Sequence, residues 1–346
     1  MLLRTGGIYV RRLKWVGGVL LAALLLSKPQ AAALGAAQAM AQWYENIAPA
    51  LFPFLALMPL LTCEEAAGVY ERALGRVMKT LFRLPGAAAP AMVIGMVAGT
   101  PAGAIAARRI AARSGMNQGQ LLRLVAVTSG LSPAFLIGGI GAGMLDNMQM
   151  GWVLLRAQLL CQTTMALLLR RAWPGRVKPV LEAARKSEEQ PVREAVFAVL
   201  TICGYMALFG ALTFAVRDFL GRGIADALLC VLDMPSGVRL LTASGMSDTK
   251  RMILLAALCG FGGVCIGVQT LGALAGCGIR AMELFELRLC AAVLNAVYTA
   301  LQLRLLDGRG MDFLAEISGI SALQTAALAV VALSVPVLVK IGKSIS

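Results

Sequence analysis

Histidine is absent from all 346 residues. That removes the commonest metal ligand and the usual proton shuttle near neutral pH. Charge is scarce as well: Asp, Glu, Lys and Arg make up 14% of the chain, against about 25% in soluble proteins. A chain of this size with so little charge lacks the polar surface to cover a soluble globule. A secreted enzyme, a disordered protein and a soluble nucleic-acid binder are therefore excluded. The eight cysteines include no C-x-x-C pair, and most stand in apolar runs. They read as small buried residues rather than as ligands or a disulfide framework.

What is abundant is apolar: 59% of the residues are hydrophobic, in runs of about 20. The fold class expected is an all-α polytopic membrane protein. Spans are predicted near 15–34, 44–63, 120–145, 150–171, 194–216, 251–275, 282–305 and 320–340. The first follows Arg4, Arg11, Arg12 and Lys14 and reads as a retained helix rather than a cleaved signal peptide. The second carries Pro49, Pro53 and Pro59, which bend helices and must be satisfied by neighbouring protein. Segment 64–83 alternates charge with apolar residues at helical spacing, the mark of an interfacial helix.

Residues 87–113 are apolar but interrupted by Gly99-Thr100-Pro101 and end in Arg108, Arg109 and Arg113. Basic residues collect in cytoplasmic loops. The N-terminus, the 170–193 stretch and the tail with Lys340 and Lys343 should then all be inside. Reading 87–113 as a re-entrant hairpin puts Arg83 and the Arg108 cluster inside too. The result is about eight spans of ~20 residues with both termini cytoplasmic. The net charge of +14 is then topological, and no nucleic acid is implied.

The chain also repeats itself. Residues 121–145 align with 251–275, LPG at 84–86 with MPSG at 234–237, and Ala98-Gly99 with Ser244-Gly245. The expected organisation is a first helix (1–40), a repeat (41–172) holding the 87–113 hairpin, and a cytoplasmic loop (173–193). A second repeat (194–306) and a last helix (307–346) follow. A second, shorter hairpin is expected near 236–249. The repeats are inverted on this topology, an arrangement common in transporters whose sites lie where broken helices meet at the midplane.

Those breaks carry the candidate chemistry. Gly95, Gly99 and Gly103, spaced by four, are expected on one helix face, where another backbone can approach. The Thr100-Pro101 pair frees backbone groups that must meet protein, water or a ligand. A helix tip there presents N–H donors to an anion, or it is a packing kink. Thr128, Ser129, Gly130, Ser132 and Pro133 form a second break, with Gly260, Phe261, Gly262 and Gly263 as its mate. Their hydroxyls either bind substrate or bond to their own helix. Gln269 and Asn295 read first as interhelical glue. Gly138, Gly139, Gly141 and Gly143 lack the strand and the Lys-Ser/Thr of a phosphate loop, so helix packing accounts for them. Arg239 falls in the second hairpin and Arg288 near the start of a span. With no nucleophile–base pair, catalysis, a metal and a cofactor are not expected.

The segments WYENIAPALFPFL (43–55), LFRLPG (81–86), GMVAGTPAGA (95–104), Thr128–Pro133 and FGGVCIGVQ (261–269) resemble the YlbJ family of sporulation integral membrane proteins. That family belongs with the nucleoside-recognition, or Gate-domain, membrane proteins. The resemblance implies movement of dipicolinate, a small aromatic dicarboxylate, or of a nucleoside-like solute. The implied surroundings are the lipid bilayer and either further copies of the chain or other sporulation membrane proteins. It implies substrate-facing positions at Gly99, Thr100, Pro101, Thr128, Ser129, Ser132, Ser244, Gly262, Gly263 and Gln269. Thr100 departs from the family's usual aromatic residue.

Overall fold

The computed structural model describes residues 2–172, 191–217, 219–220 and 222–307. The 173–193 loop is outside the described residues except for its last three positions, and the 320–340 span with Lys340 and Lys343 is wholly outside. The described residues are helical with no strand.

Helix α1 (Leu2–Ser27) and α2 (Pro29–Gln42) meet at Lys28. Pro29 denies the preceding residue a helical conformation, and Lys28 adopts φ −135°, ψ 59°. The chain turns there by 99°. The straight helix expected over 15–34 is thus two helices. Helix α2 lies against the helix over Pro191–Arg217 through paired glycines: a Cβ on Gly35 would come within 2.3 Å of the Gly210 carbonyl oxygen. Small residues at such a crossing let backbones touch.

After a π-helical turn at Trp43–Ile47, α3 (Ala48–Leu61) contains Pro53 and Pro59. Helix α4 (Glu64–Val77) is amphipathic, and its charged face is exposed. The chain then bends by 104° into α5 (Ala89–Ala98), which α6 (Ala102–Arg113) follows. At 10 and 12 residues, these two are roughly 15 and 18 Å long. Neither can cross a hydrocarbon core of ~30 Å, and they fold back on one another. Ala88, Ala89, Ala91, Ala102, Ala104, Ala106 and Ala107 are wholly buried along them. The hairpin is therefore interior, and alanine is what allows it to pack there.

Three arginines at the end of α6 tie the hairpin's base to separate elements. Arg108 donates to the Ala273 carbonyl at 3.2 Å, Arg113 to the Thr62 carbonyl at 2.6 Å, and Arg109 pairs with Glu194. Helix α7 (Gln118–Thr128) opens with a capping box of Asn117 and Gln120, each satisfying an orphan N–H of the other. It stops at Ser129, and a π-type helix runs over Ala134–Met144. Gly141 of that helix meets Gly151 of α8 (Met148–Ala172) backbone to backbone, which is the packing role read for the glycine run.

The second half begins with α9 (Pro191–Arg217), then α10 (Arg222–Leu232) and α11 (Met234–Thr242). Helix α12 (Asp248–Phe261) breaks at Gly262 into α13 (Gly263–Ala273), and α14 (Ala281–Asp307) closes the described chain. Gly262 and Gly263 have φ of 77° and 74°, a conformation open to glycine and strained for other residues.

The second hairpin is α10 with α11, its tip at Asp233-Met234-Pro235, not the 236–249 segment. Its mate in the first half is Gly99-Thr100-Pro101, and Ser244-Gly245 is a turn between α11 and α12. The sequence alignment slipped because LPG precedes the first arm of one hairpin whereas MPSG opens the second arm of the other. Among the described residues, four helical stretches are long and apolar enough to cross a membrane, or up to six if each bent pair counts as one. The other expected spans are shortened by Pro and Gly breaks or lie outside the described residues.

Candidate functional site where two hairpins meet two broken helices

The first break is an unwound stretch whose backbone groups are met one by one. The Ser129 carbonyl accepts from Arg288 Nη1 at 3.1 Å. The Gly130 carbonyl accepts from the Thr100 N–H at 2.8 Å and from Thr100 Oγ1 at 3.0 Å. Gln158 of α8 clamps Leu131 from both sides: Nε2 donates to its carbonyl and Oε1 accepts its N–H, each at 2.8 Å. An unmet backbone group in hydrocarbon costs several kcal/mol, so these partners are what make the break tolerable. Ser132 finishes it, its carbonyl and Oγ both accepting from the Phe135 N–H.

Close approach makes this possible. A Cβ on Gly103 would lie 2.3 Å from the Thr128 carbonyl oxygen and 2.8 Å from Gly95 Cα. Gly99, with φ 72°, brings the hairpin tip against the Ser132 N–H, 2.6 Å from where a Cβ would stand. The three glycines do not share one helix face as their spacing had implied. The chain reverses at Gly99, so Gly95 and Gly103 face each other across the hairpin, and both face Thr128.

Both hairpin tips and both broken helices border one cavity of about 230 Å³. Ala98, Thr100 and Pro101 contribute from one tip, and Asp233, Met234 and Pro235 from the other. Leu131, Ser132, Ala134 and Phe135 come from the first break, and Cys265, Ile266 and Gln269 from the segment after the second. Ile47 and Leu51 close one side, and Ile202 and Met206 the other. The walls are mainly apolar, with Thr100, Ser132, Gln269 and Asp233 as the polar points. Helix first turns border it too, those of α6, the 134–144 helix, α11 and α13, and such ends favour negative charge. Asp233 caps α11: its Oδ2 accepts from the Ser236 N–H at 3.2 Å and from Ser236 Oγ at 2.5 Å. Arg239, nearly one turn further, donates to Ser236 Oγ and to Gln42.

A second, much smaller cavity of about 20 Å³ lies on the other side of the first break. Ser129, Gln158, Gln162, Arg288 and Asn295 are its polar lining.

Of the residues singled out in the sequence, Thr100, Pro101, Ser132 and Gln269 line the larger cavity, with Gly99 shaping its tip. Ser129 faces the smaller cavity instead. Thr128 is fully buried, with Oγ1 turned to its own helix at Val125. Gly262 and Gly263 make the bend but do not line the cavity. Ser244 does not line the cavity: it sits in the turn between α11 and α12, bonded to the Leu241 carbonyl. Asn295 bonds to its own helix at Ala291 rather than across helices. Asp233, Gln158 and Gln162 were missed. Each left a signal: an acid at the end of an apolar run, and a glutamine pair four apart in a span.

Comparison with known proteins fits this architecture. No family model and no solved structure matches the chain. A curated protein does: "Sporulation integral membrane protein YlbJ" of Bacillus subtilis (strain 168), 26% identical over 326 residues. The match covers 81% of this chain and 80% of that protein. The chain is similar to YlbJ along most of its length. The resemblance read from the Gly- and Pro-rich segments therefore extends well beyond those motifs. The present chain, too, is an integral membrane protein, all-helical where described.

Proposed function

We propose that this chain is a secondary transporter of a small organic anion, dipicolinate first among candidates, acting in the membrane of a sporulating cell. The observation that carries the reading is the convergence of two hairpin tips and two broken helices on one cavity. Paired helix interruptions around a central pocket are the usual substrate site of repeat-built transporters. At about 230 Å³ the cavity is below the ~300–1,000 Å³ of pockets for drug-sized ligands. A flat aromatic acid of about a dozen heavy atoms suits that volume better than a nucleoside.

The chemistry follows from the lining. Leu131, Phe135, Ile202, Met206 and Ile266 would hold an aromatic ring, while Thr100, Ser132 and Gln269 with the helix first turns would meet the carboxylates. In the proposed topology both termini are cytoplasmic, and alternating access follows from rocking one half against the other. Asp233 favours a second reading, a neutral solute such as a nucleoside, because a carboxylate accepts from hydroxyl and amino groups and repels an anion.

Uptake of dipicolinate into proteoliposomes, with nucleosides and simple dicarboxylates as competitors, tests the choice. Saturable dipicolinate uptake resisting nucleoside competition is the expected result. Competition by nucleosides alone supports the second reading. Absence of any saturable uptake overturns transport in favour of a non-transporting sporulation component.

A further inference from the structure

Arg288 of α14 is 3% exposed in the interior of a membrane-spanning helix. A guanidinium does not deprotonate in proteins, and a buried charge left without compensation costs several kcal/mol. Among the described residues no carboxylate pairs with it. Its bonds go to the Ser129 carbonyl at 3.1 Å and to Thr270 Oγ1 at 3.3 Å. It also lies on Gly262, where a Cβ would stand 2.9 Å from Nη1.

Ser129 and Gly262 have something in common. Ser129 is the C-cap of α7, and its carbonyl accepts from the guanidinium; Gly262, against which the guanidinium lies, is the residue where α12 ends and α13 begins. The C-terminal end of α7 carries roughly half a negative charge, and it offsets part of the cation's charge. In transporters with broken helices, unwound carbonyls and half-helix C-termini are where Na⁺ or H⁺ is held. We propose that Arg288 is a tethered cation. Its guanidinium occupies, at the junction of the two breaks, the position a free monovalent cation would take. The breaks are thereby held in register without a bound ion. If the transporter reading holds, solute movement is not coupled to Na⁺ or K⁺ at this junction. The tethered-cation claim itself is tested without transport.

The experiment is thermal unfolding of the purified full-length protein in detergent, with sodium, potassium, guanidinium or choline as the added chloride salt at non-denaturing concentration. Wild-type Tm is expected to be the same with sodium, potassium and choline. R288A is expected to fall by about 5–10 °C and to recover part of that, saturably, with guanidinium but not with choline. R288K, which keeps the charge, should lose less than R288A. Q162L, which alters the same small cavity without touching the charge, should gain nothing from guanidinium. Should R288A not be recovered folded, the readout is the yield of monodisperse protein purified with guanidinium or with choline. Equal yields, or a folded R288A that guanidinium does not rescue, overturn the proposal. So does saturable stabilisation of the wild type by sodium. Saturable stabilisation of the wild type by chloride over gluconate, lost in R288A, overturns it too, because Arg288 would then be an anion receptor. Absence of all uptake sinks only the transporter reading.

Discussion

The two hairpins do the same topological job by different means. The first, α5–α6, is largely interior, its alanines and glycines packed against α7, and its tip is bonded to the opposite break through Thr100 and Gly130. The second, α10–α11, is held at its tip by its own side chains, Asp233 to Ser236 to Arg239. Helix α10 also keeps a half-exposed face. The breaks differ in the same sense. The first spans several unwound residues and needs Gln158, Thr100 and Arg288 to satisfy it, while the second is a glycine bend that leaves little unmet. The first tip is bonded to the opposite break, whereas the bonds at the second tip are local apart from the one from Arg239 to Gln42. Local contacts survive a rigid-body displacement and long-range ones do not, so the second hairpin is expected to be the less protected of the two.

The comparison can be broken most severely at the glycines. Gly103→Leu forces a side chain into the Thr128 carbonyl and Gly95, with a Cβ placed at 2.3 and 2.8 Å. Backbone cannot yield as a flexible side chain does, and the expected cost of ~3 kcal/mol or more should abolish recovery of monodisperse protein. Gly245→Leu, in the outer turn with nothing within 4 Å, should leave size-exclusion behaviour unchanged. Next comes the clamp. Gln158→Leu orphans both the N–H and C=O of Leu131, at ~1–3 kcal/mol for each group, and should lower Tm by several degrees. Among the described residues of the second half, no single side chain clamps its break in this way.

Smaller effects sharpen the contrast between tips. Thr100→Val removes the Oγ1 bond to Gly130 but keeps the N–H bond, so stability should fall by ~1 kcal/mol. Dipicolinate uptake should drop several-fold, since Thr100 also faces the cavity. Asp233→Asn keeps most of the capping, costs no more than ~1 kcal/mol, and should raise affinity for the dianion over nucleosides by removing a like charge. The least invasive test is hydrogen exchange: backbone amides of 222–242 should exchange faster than those of 89–113. Equal protection of the two hairpins would remove the distinction drawn between them.

Much of this was legible in the chain. Apolar runs marked the long helices because a bilayer admits few other structures, and Gly99-Thr100-Pro101 and Ser129–Pro133 announced breaks because Pro and Gly remove or free backbone bonds. The bend at Lys28 was equally written in Pro29, though the apolar run masked it. The tip of the second hairpin was harder. Asp233-Met234-Pro235 resembles an ordinary helix start, which it also is, and no local feature says that α10 folds back onto α11.

Sequence alone determined the class: too little charge for a soluble globule, apolar runs at span length, and interruptions where backbone groups need partners. Those are local properties, set by transfer energies and by the covalent limits of proline and glycine. Only the tertiary structure decided which partners meet. It brought Gln158 to Leu131, Thr100 to Gly130 and Arg288 to Ser129 and Gly262 across separations of tens to more than a hundred residues. It also made one cavity from two hairpin tips and left Ser244 in the turn between α11 and α12. Such pairings depend on how helices stack, and stacking is a property of whole surfaces rather than of any segment read by itself.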